Sequence, residues 1–488
     1  MTEEPGALSR LGGLTANAAR FGRERLTHLL GGGTRTRVVL VLAAVLGLSS
    51  ADATTVGASA TALRGSLHIS NTDIGLLVSV TSLVGAVASI PFGVLADRVR
   101  RTTTLAAAIV LWGAAMLWSA TAGSFGNLLL ARVFLGAVTA AAGPMIASLV
   151  GDYFRPSERG RIYGFILAGE LIGAGFGFAV TGDIATLSWE AAFVILAIPA
   201  FVLAVLVARL PEPERGGRGA LAPEPGTRGH GEEEEPVDGE VRGTDAQHLA
   251  RERDIEPDRE RVLREDPGRM NLIAAVRYVL SIRTNVVLIA ASALGYYFLA
   301  GVQTFGSEFA KDQFSINQAF ANLLLLVIGA GAIGGVLAGG HVGDWLLKRG
   351  LLNSRILVSA VSATAAVGLF GPAIFKRTAH GALPFLLLAV FALSAQNPPL
   401  DAARLDIMPP LLWGRAESVR TLIRSSTQAL APLLFGAVSD HVFGGGRSGL
   451  QWTFAVMLVP LLASAYLLFK ALRTYPRDVA TAAASAHS

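Results

Sequence analysis

Twelve runs of mainly apolar residues, each close to the length a bilayer demands, leave this chain few ways to fold. A spanning helix needs about 20 such residues, because it must satisfy its own backbone hydrogen bonds inside a layer that holds no water. In the first half the runs fall at 38–60, 72–93, 102–121, 126–151, 160–182 and 189–209. In the second they fall at 284–308, 318–340, 353–374, 382–406, 416–441 and 450–471. Six and six predict an all-α membrane protein of two six-helix bundles. Hydrophobic residues make up 52% of the chain and charged ones 16%, too little polar surface for a chain of 488 residues to face water. The net charge of +5 comes from basic residues scattered at the ends of the runs, which argues against a nucleic-acid-binding stripe. With no cysteine there are no disulfides, thiolate metal sites or thiol catalysis.

The runs divide the chain into five parts. Residues 1–37 are a basic, amphipathic segment without an apolar core of signal-peptide length, so no cleaved leader is expected. Residues 38–210 and 284–472 are the two bundles. Between them, 211–283 is a linker rich in Pro, Gly and charge, with the acidic run Glu232 to Glu235. Such a composition cannot bury enough apolar surface to fold alone, so most of it is expected to be disordered. Leu272, Ile273, Val276, Val279 and Leu280 then space out a short amphipathic helix at 271–282. Residues 473–488 are a tail. With both termini and the linker on one side, short loops and ends there hold Arg98, Arg100, Arg101, Lys348, Arg349, Arg355 and further basic residues, against Arg64, Lys311, Lys376, Arg377 and Arg447 on the other. The positive-inside bias therefore predicts cytoplasmic termini and linker.

The halves repeat each other. Gly93-Val94-Leu95-Ala96-Asp97-Arg98-Val99-Arg100-Arg101 follows the second run, and Gly340-His341-Val342-Gly343-Asp344-Trp345-Leu346-Leu347-Lys348-Arg349 follows the eighth. Asp152 to Arg161 after the fourth run matches Asp406 to Arg415 after the tenth: an acid, a proline-broken turn, then Gly-Arg opening the next helix. Matching breaks at matching places are the mark of structural repeats. On these motifs the chain resembles the major facilitator superfamily, whose loop after the second helix carries Gly, Asp and basic residues. Within it the resemblance is to the spinster-like lipid transporters. It rests on Ala51-Asp52, Arg132-Val133-Phe134-Leu135-Gly136, Trp189, Phe193, Leu210-Pro211-Glu212-Pro213 and Gly334 to Gly340. The Arg after the first-helix Asp is here Ala53, and Ala140-Ala141-Ala142 replaces a Gly-Glu-Ala segment. The resemblance implies a monomeric secondary transporter of the cytoplasmic membrane, with 12 helices in pseudo-two-fold symmetry and alternating access. Its substrate would be an amphiphile such as lysophospholipid and its coupling ion the proton, with membrane lipids around it and no cofactor. It also implies a conformational switch through Gly93, Asp97, Arg98 and Arg101 and their counterparts Asp344 and Lys348.

Ionisable residues inside an apolar run normally face a cavity or a partner. Asp52 and Arg132 lie at similar depth in the first and fourth helices and are expected to interact, as a proton-coupling pair or a static one. Glu170 sits ~15 Å into the fifth helix at ~1.5 Å per residue. Arg424 holds the corresponding place 254 residues later, the offset that also relates Asp152 to Asp406. Opposite charges from the two halves near the midplane suit a substrate carrying both signs, and Glu170 is a second proton-coupling candidate. Tyr296, Tyr297, Gln303 and Asn397 are candidate cavity residues. Asp401 and Arg404, three apart, form a candidate inner gate or a plain ion pair. There is no phosphate-binding glycine loop, no metal-ligand spacing and no nucleophile–base pair, so neither ATP, a metal nor enzymatic chemistry is expected. A multidrug or sugar carrier is the alternative, and a sensor or scaffold acting through its acidic linker a more distant one.

Overall fold

The computed structural model describes residues 27, 30–96, 99–154, 156–214, 221, 244–263, 270–409 and 412–485. These fold into helices, with no strand among the described residues. The long segments of the first half are α1 (Gly33–Ala58), α2 (Asn71–Ala96), α3 (Arg101–Ala120), α4 (Phe125–Tyr153), α5 (Pro156–Phe176) and α6 (Trp189–Ala208). Those of the second half are α7 (Arg283–Phe314), α8 (Gln318–Lys348), α9 (Ser354–Phe375), α10 (Ala379–Asp406), α11 (Trp413–Ala437) and α12 (Gly446–Ala471). Ten of them are long and apolar enough to cross a membrane. The other two, α5 and α11, sit at equivalent places in the repeat and carry more charge, among it Glu170 in one and Glu417, Arg420 and Arg424 in the other.

Local chemistry explains where the segments start and bend. Ser124, Ser188, Asn317 and Thr378 each accept a backbone N–H of the following first turn and so cap α4, α6, α8 and α10. The segment α4 is interrupted at Ala140-Ala141, and α10 at Gln396. Pro398 and Pro399 thus fall in the first turn of a new helical piece, where a missing N–H is tolerated, rather than in the interior of an unbroken helix. Both α5 and α11 run on into a π turn, at Gly177–Thr181 and Val438–Val442.

Within each half the packing scheme is the same. α1 packs on α5, α3 on α6, α2 on α4 and α3 on α4; correspondingly α7 packs on α11, α9 on α12, α8 on α10 and α9 on α10. At the α1–α5 crossing Gly47 and Gly173 meet backbone to backbone, where a Cβ on either would collide with the other strand of the pair. Such small-residue contacts let membrane helices gain dispersion and packing where no hydrophobic drive exists.

Part of the linker departs from the expectation of disorder. Helix Asp245–Glu252 starts with a capping box from Thr244 and Gln247, and buries Ala246 and Ala250 against Leu347, Ile407 and Tyr475 of the second half. The tail forms helix Tyr475–Ser485, and Asp258 N–H and Leu263 N–H donate to Thr481 and Ser485 on it. A short acidic-rich composition read alone hides these partners, because its apolar residues are few and find their complement far away in sequence. At 271–282 the amphipathic helix is present as Leu272–Ser281, capped by Asn271, with Ala275 and Val279 buried against the protein.

Candidate functional site

The halves are joined at the ends of the helices farthest from the linker. Gly75 of α2 abuts the Pro432 carbonyl of α11, and Gly436 of α11 abuts that of Asn71 of α2, a reciprocal crossing that leaves no room for a side chain. Thr72 donates to Asp440, Ser79 accepts from the Leu433 N–H, and Asn322 of α8 donates to Asp183 at 2.7 Å. Between α1 and α7, Glu308 is buried and holds Arg64, Thr61 and Lys311 around its carboxylate. Val87 of α2, Ile172 of α5, Leu337 of α8 and Leu422 of α11 are exposed apolar side chains.

Asp52 and Arg132 meet inside the first bundle: an Arg132 guanidinium N–H donates to Asp52 Oδ1 at 2.9 Å. Both side chains are shut off from solvent, and the guanidinium lies over the Phe193 ring with its Nε unpaired among the described residues. The pair is therefore set back from any open space.

Glu170 and Arg424 have a different setting. Glu170 is exposed and lies within electrostatic reach of Arg424 across the two halves. Arg424 stacks on Tyr296, its guanidinium carbon 4.6 Å from the ring centroid, and its Nε has no hydrogen-bond partner among the described residues. A half-buried arginine in a membrane helix with a nitrogen left unbonded is costly. Asn397 adds a buried acceptor, Oδ1, that is also unpaired. Tyr297 points elsewhere: it packs on Phe435 inside the second bundle, and its hydroxyl reaches the Met457 sulfur at 3.4 Å. Adjacent residues on a helix face about 100° apart, so Tyr296 and Tyr297 cannot share one face. Gln303 is exposed and makes none of these contacts.

On the linker side each half carries an arginine, buried in the first half and partly buried in the second, that ties helix ends together. Arg101 binds Asp152 and, at 2.9 Å, Glu212, whose other oxygen accepts the N–H and hydroxyl of Thr102. Burial pushes the Glu212 carboxyl up, but the Thr102 and Arg101 hydrogen bonds outweigh it and hold the group below the usual carboxylate range. In the second half Arg355 takes the equivalent place, bridging Asp406 at 2.6 Å and Asp344 at 2.8 Å, while Tyr475 donates to Asp406. Asp344 thus pairs with an arginine of the next helix and not with Lys348, which is exposed. Arg355 stands 254 residues after Arg101, the offset of Asp152 and Asp406, so the repeat itself held the signal that names it. Asp97 and Arg98 lie outside the described residues, and Gly93 lies in α2 with its surroundings undescribed. Asp401 and Arg404 pair at 2.5 Å, within a larger cluster in which Glu417 and Arg420 of α11 also take part. Among the described residues no group of His, Asp and Glu could hold a metal ion.

Residues 42–410 match the sequence profile of the Major Facilitator Superfamily. The chain belongs to that superfamily. Among superfamily members the hexuronate transporter of Bacillus subtilis is 22% identical over 398 residues, 80% of this chain and 84% of that one. The probable L-galactonate transporter of Escherichia coli is 27% identical over 194 residues, a match that takes in 40% of this chain and 41% of the other. Protein spinster of Drosophila melanogaster is 26% identical over 180 residues, 36% of this chain and 30% of the relative. A solved bacterial homolog of the human lysosomal transporter spinster, inward-facing and unoccupied, superposes with a TM-score of 0.72 at 19% identity, covering 91% of this chain and 98% of that one. The spinster-like placing made from sequence stands, together with the superfamily fold.

Proposed function

We propose that the protein is a secondary transporter working by alternating access, and that its substrate is an amphiphile with an anionic head, of the lysophospholipid class. The observation that carries this reading is Arg424, stacked on Tyr296, unpaired, and opposed by Glu170 from the other half. Ile172 and Phe176 after Glu170, and Leu422 and Ile423 before Arg424, are exposed apolar side chains that stand about 100–160° round α5 and α11 from the charges. A polar head would meet the arginine and an acyl chain the surrounding hydrocarbon. The contacts at the far ends hold one face closed, so rocking would break the α2–α11 and Glu308 contacts while the Arg101 and Arg355 ties stay with their halves or re-form between them. With the linker side cytoplasmic, as the positive-inside bias has it, the conformation is inward-facing.

Glu170 is the better placed proton site, because it faces open space and a cation, whereas Asp52 is sealed against Arg132. A proton on Glu170 would raise the local positive charge beside the anion, linking proton and substrate binding. A second reading, a small organic acid in place of a lipid, draws on the similarity to the hexuronate transporter and uses the same arginine.

The deciding experiment is uptake into proteoliposomes of labelled lysophospholipid and, in parallel, of hexuronate, with and without a pH gradient, by the natural protein and by Arg424→Ala and Glu170→Gln. Lysolipid uptake that Arg424→Ala abolishes and Glu170→Gln uncouples from the gradient supports the proposal. Hexuronate uptake alone transfers the site to the second reading. Uptake that survives Arg424→Ala sinks the site assignment.

A further inference from the structure

A second polar cavity, of about 590 Å³, lies far from the central charges, where the linker crosses the ends of α7 and α12 and the start of the tail. Its walls differ in sign. The span ends and tail contribute Arg283, Arg473 and Arg477, and the linker contributes Glu256 and Glu260 beside Arg259. The remaining acids are already engaged: Asp258 pairs with Arg261 and Arg477, and Asp478 is buried, accepting the Thr284 N–H at 3.0 Å. That leaves three arginines exposed and without an ion-pair partner among the described residues: Arg259, between Glu256 and Glu260 on the linker, and Arg283 and Arg473 at the span ends. Arg283 is the first residue of α7, and Arg473 follows the last residue of α12 by two. Arg283 and Arg473 therefore stand at the linker-side ends of two spanning segments. Basic pockets between span ends on the linker side are where phosphate head groups collect.

We propose that this cavity binds a phosphate ester carrying a primary ammonium, the head group of an aminophospholipid. Arg283 and Arg473 take the phosphate by charge-assisted hydrogen bonds, and Glu256 and Glu260, on the linker laid over the span ends, take the ammonium on the side away from the membrane. The order of the charges fits such a head group, in which the phosphate is next to the glycerol and the amine outermost. An occupant would bridge the linker to the second bundle. The inference is independent of the transported substrate.

The test uses the full chain, purified and delipidated in detergent, with thermal unfolding followed on addition of phosphatidylethanolamine, phosphatidylcholine, phosphatidylglycerol or soluble phosphoethanolamine. Phosphatidylethanolamine is expected to raise the midpoint more than the other two lipids. Arg283→Ala/Arg473→Ala should weaken its apparent affinity at least roughly tenfold, the loss of one charge-assisted hydrogen bond. Glu256→Gln/Glu260→Gln should keep a response to phosphate lipids but lose the preference over phosphatidylglycerol, and it carries the test alone if the arginine variant does not fold. If soluble phosphoethanolamine gives the same shift, the head-group chemistry stands and its source is a free solute; if it gives none, the source is the bilayer. Equal shifts with all three lipids, or a preference unchanged in the glutamine variant, overturn the proposal.

Discussion

At the scale of single residues, charge placement separates buried, mutually bonded pairs from charges left exposed or partly unbonded. Asp52 and Arg132 are mutually satisfied and sealed. Asp52→Asn leaves a buried guanidinium without its counter-charge, and a one-sided loss of this kind costs roughly 3–5 kcal/mol. The variant should unfold at markedly lower denaturant, and Asp52→Leu with Arg132→Met should recover most of the loss; recovery that fails would show the pair does more than hold helices together. Tyr296→Ala removes a cation–π contact of about 0.5–2 kcal/mol that is made without any substrate, so the loss should appear as a lower unfolding midpoint of the unliganded protein. The depressed carboxyl of Glu212 gives a pH signature. Because its folded value lies below the unfolded one of about 4.3, its stabilisation is complete above that pH and is lost as pH falls through the lower folded value. Unfolding midpoints of the natural protein and Glu212→Gln should thus differ at neutral pH and converge in acid. Equal depth on two helices made the Asp52–Arg132 pairing legible from sequence, whereas Glu308 with Arg64 was not, since nothing local joins residues 244 apart.

At the scale of helices, small residues set which elements can approach. Gly173→Leu would force α5 off α1 at a crossing where backbones touch, and should abolish stable expression of the folded protein, read as loss of a monodisperse peak in size exclusion. Gly75→Val acts on the contact between halves instead. It should leave each bundle intact while disfavouring the closed far face, so that a cysteine placed at Thr72 reacts faster with an impermeant thiol reagent than in the otherwise natural protein. Helix number and order could be read from apolar runs, because a bilayer imposes one length on every span. The interruptions of α4 and α10 both have a proline as their signal: Pro398-Pro399 open the new piece of α10, and Pro144, whose ring would meet the Ala140 carbonyl, lies in the first turn of the new piece of α4.

At the scale of the whole molecule, the duplicated pairing scheme gives two halves that share one apolar core, with a second core formed by the second half, the linker and the tail. The linker's fold was the least legible part, since Gln247 donates to the Asp406 carbonyl 159 residues away and the tail supplies the rest of its partners. Severing the chain near residue 230 should leave the two parts associated in detergent, held by the contacts between halves alone, since 244–263 stays with the second part on which it docks.

The polar character of α5 and α11 reaches beyond the working cycle to the birth of the protein. A helix that carries charges to mid-depth gains little by entering lipid alone, since each such residue at the centre costs about 2.5–3.5 kcal/mol on insertion scales. These two segments should partition only with a companion already in place: α5 with α1, whose glycine face it matches, and α11 with α7. A nascent chain stopped after α5 but lacking α1 should leave α5 outside the membrane, as a glycosylation-mapping assay would report. The charged side chains of α5 and α11 thereby dictate the order in which the molecule is assembled.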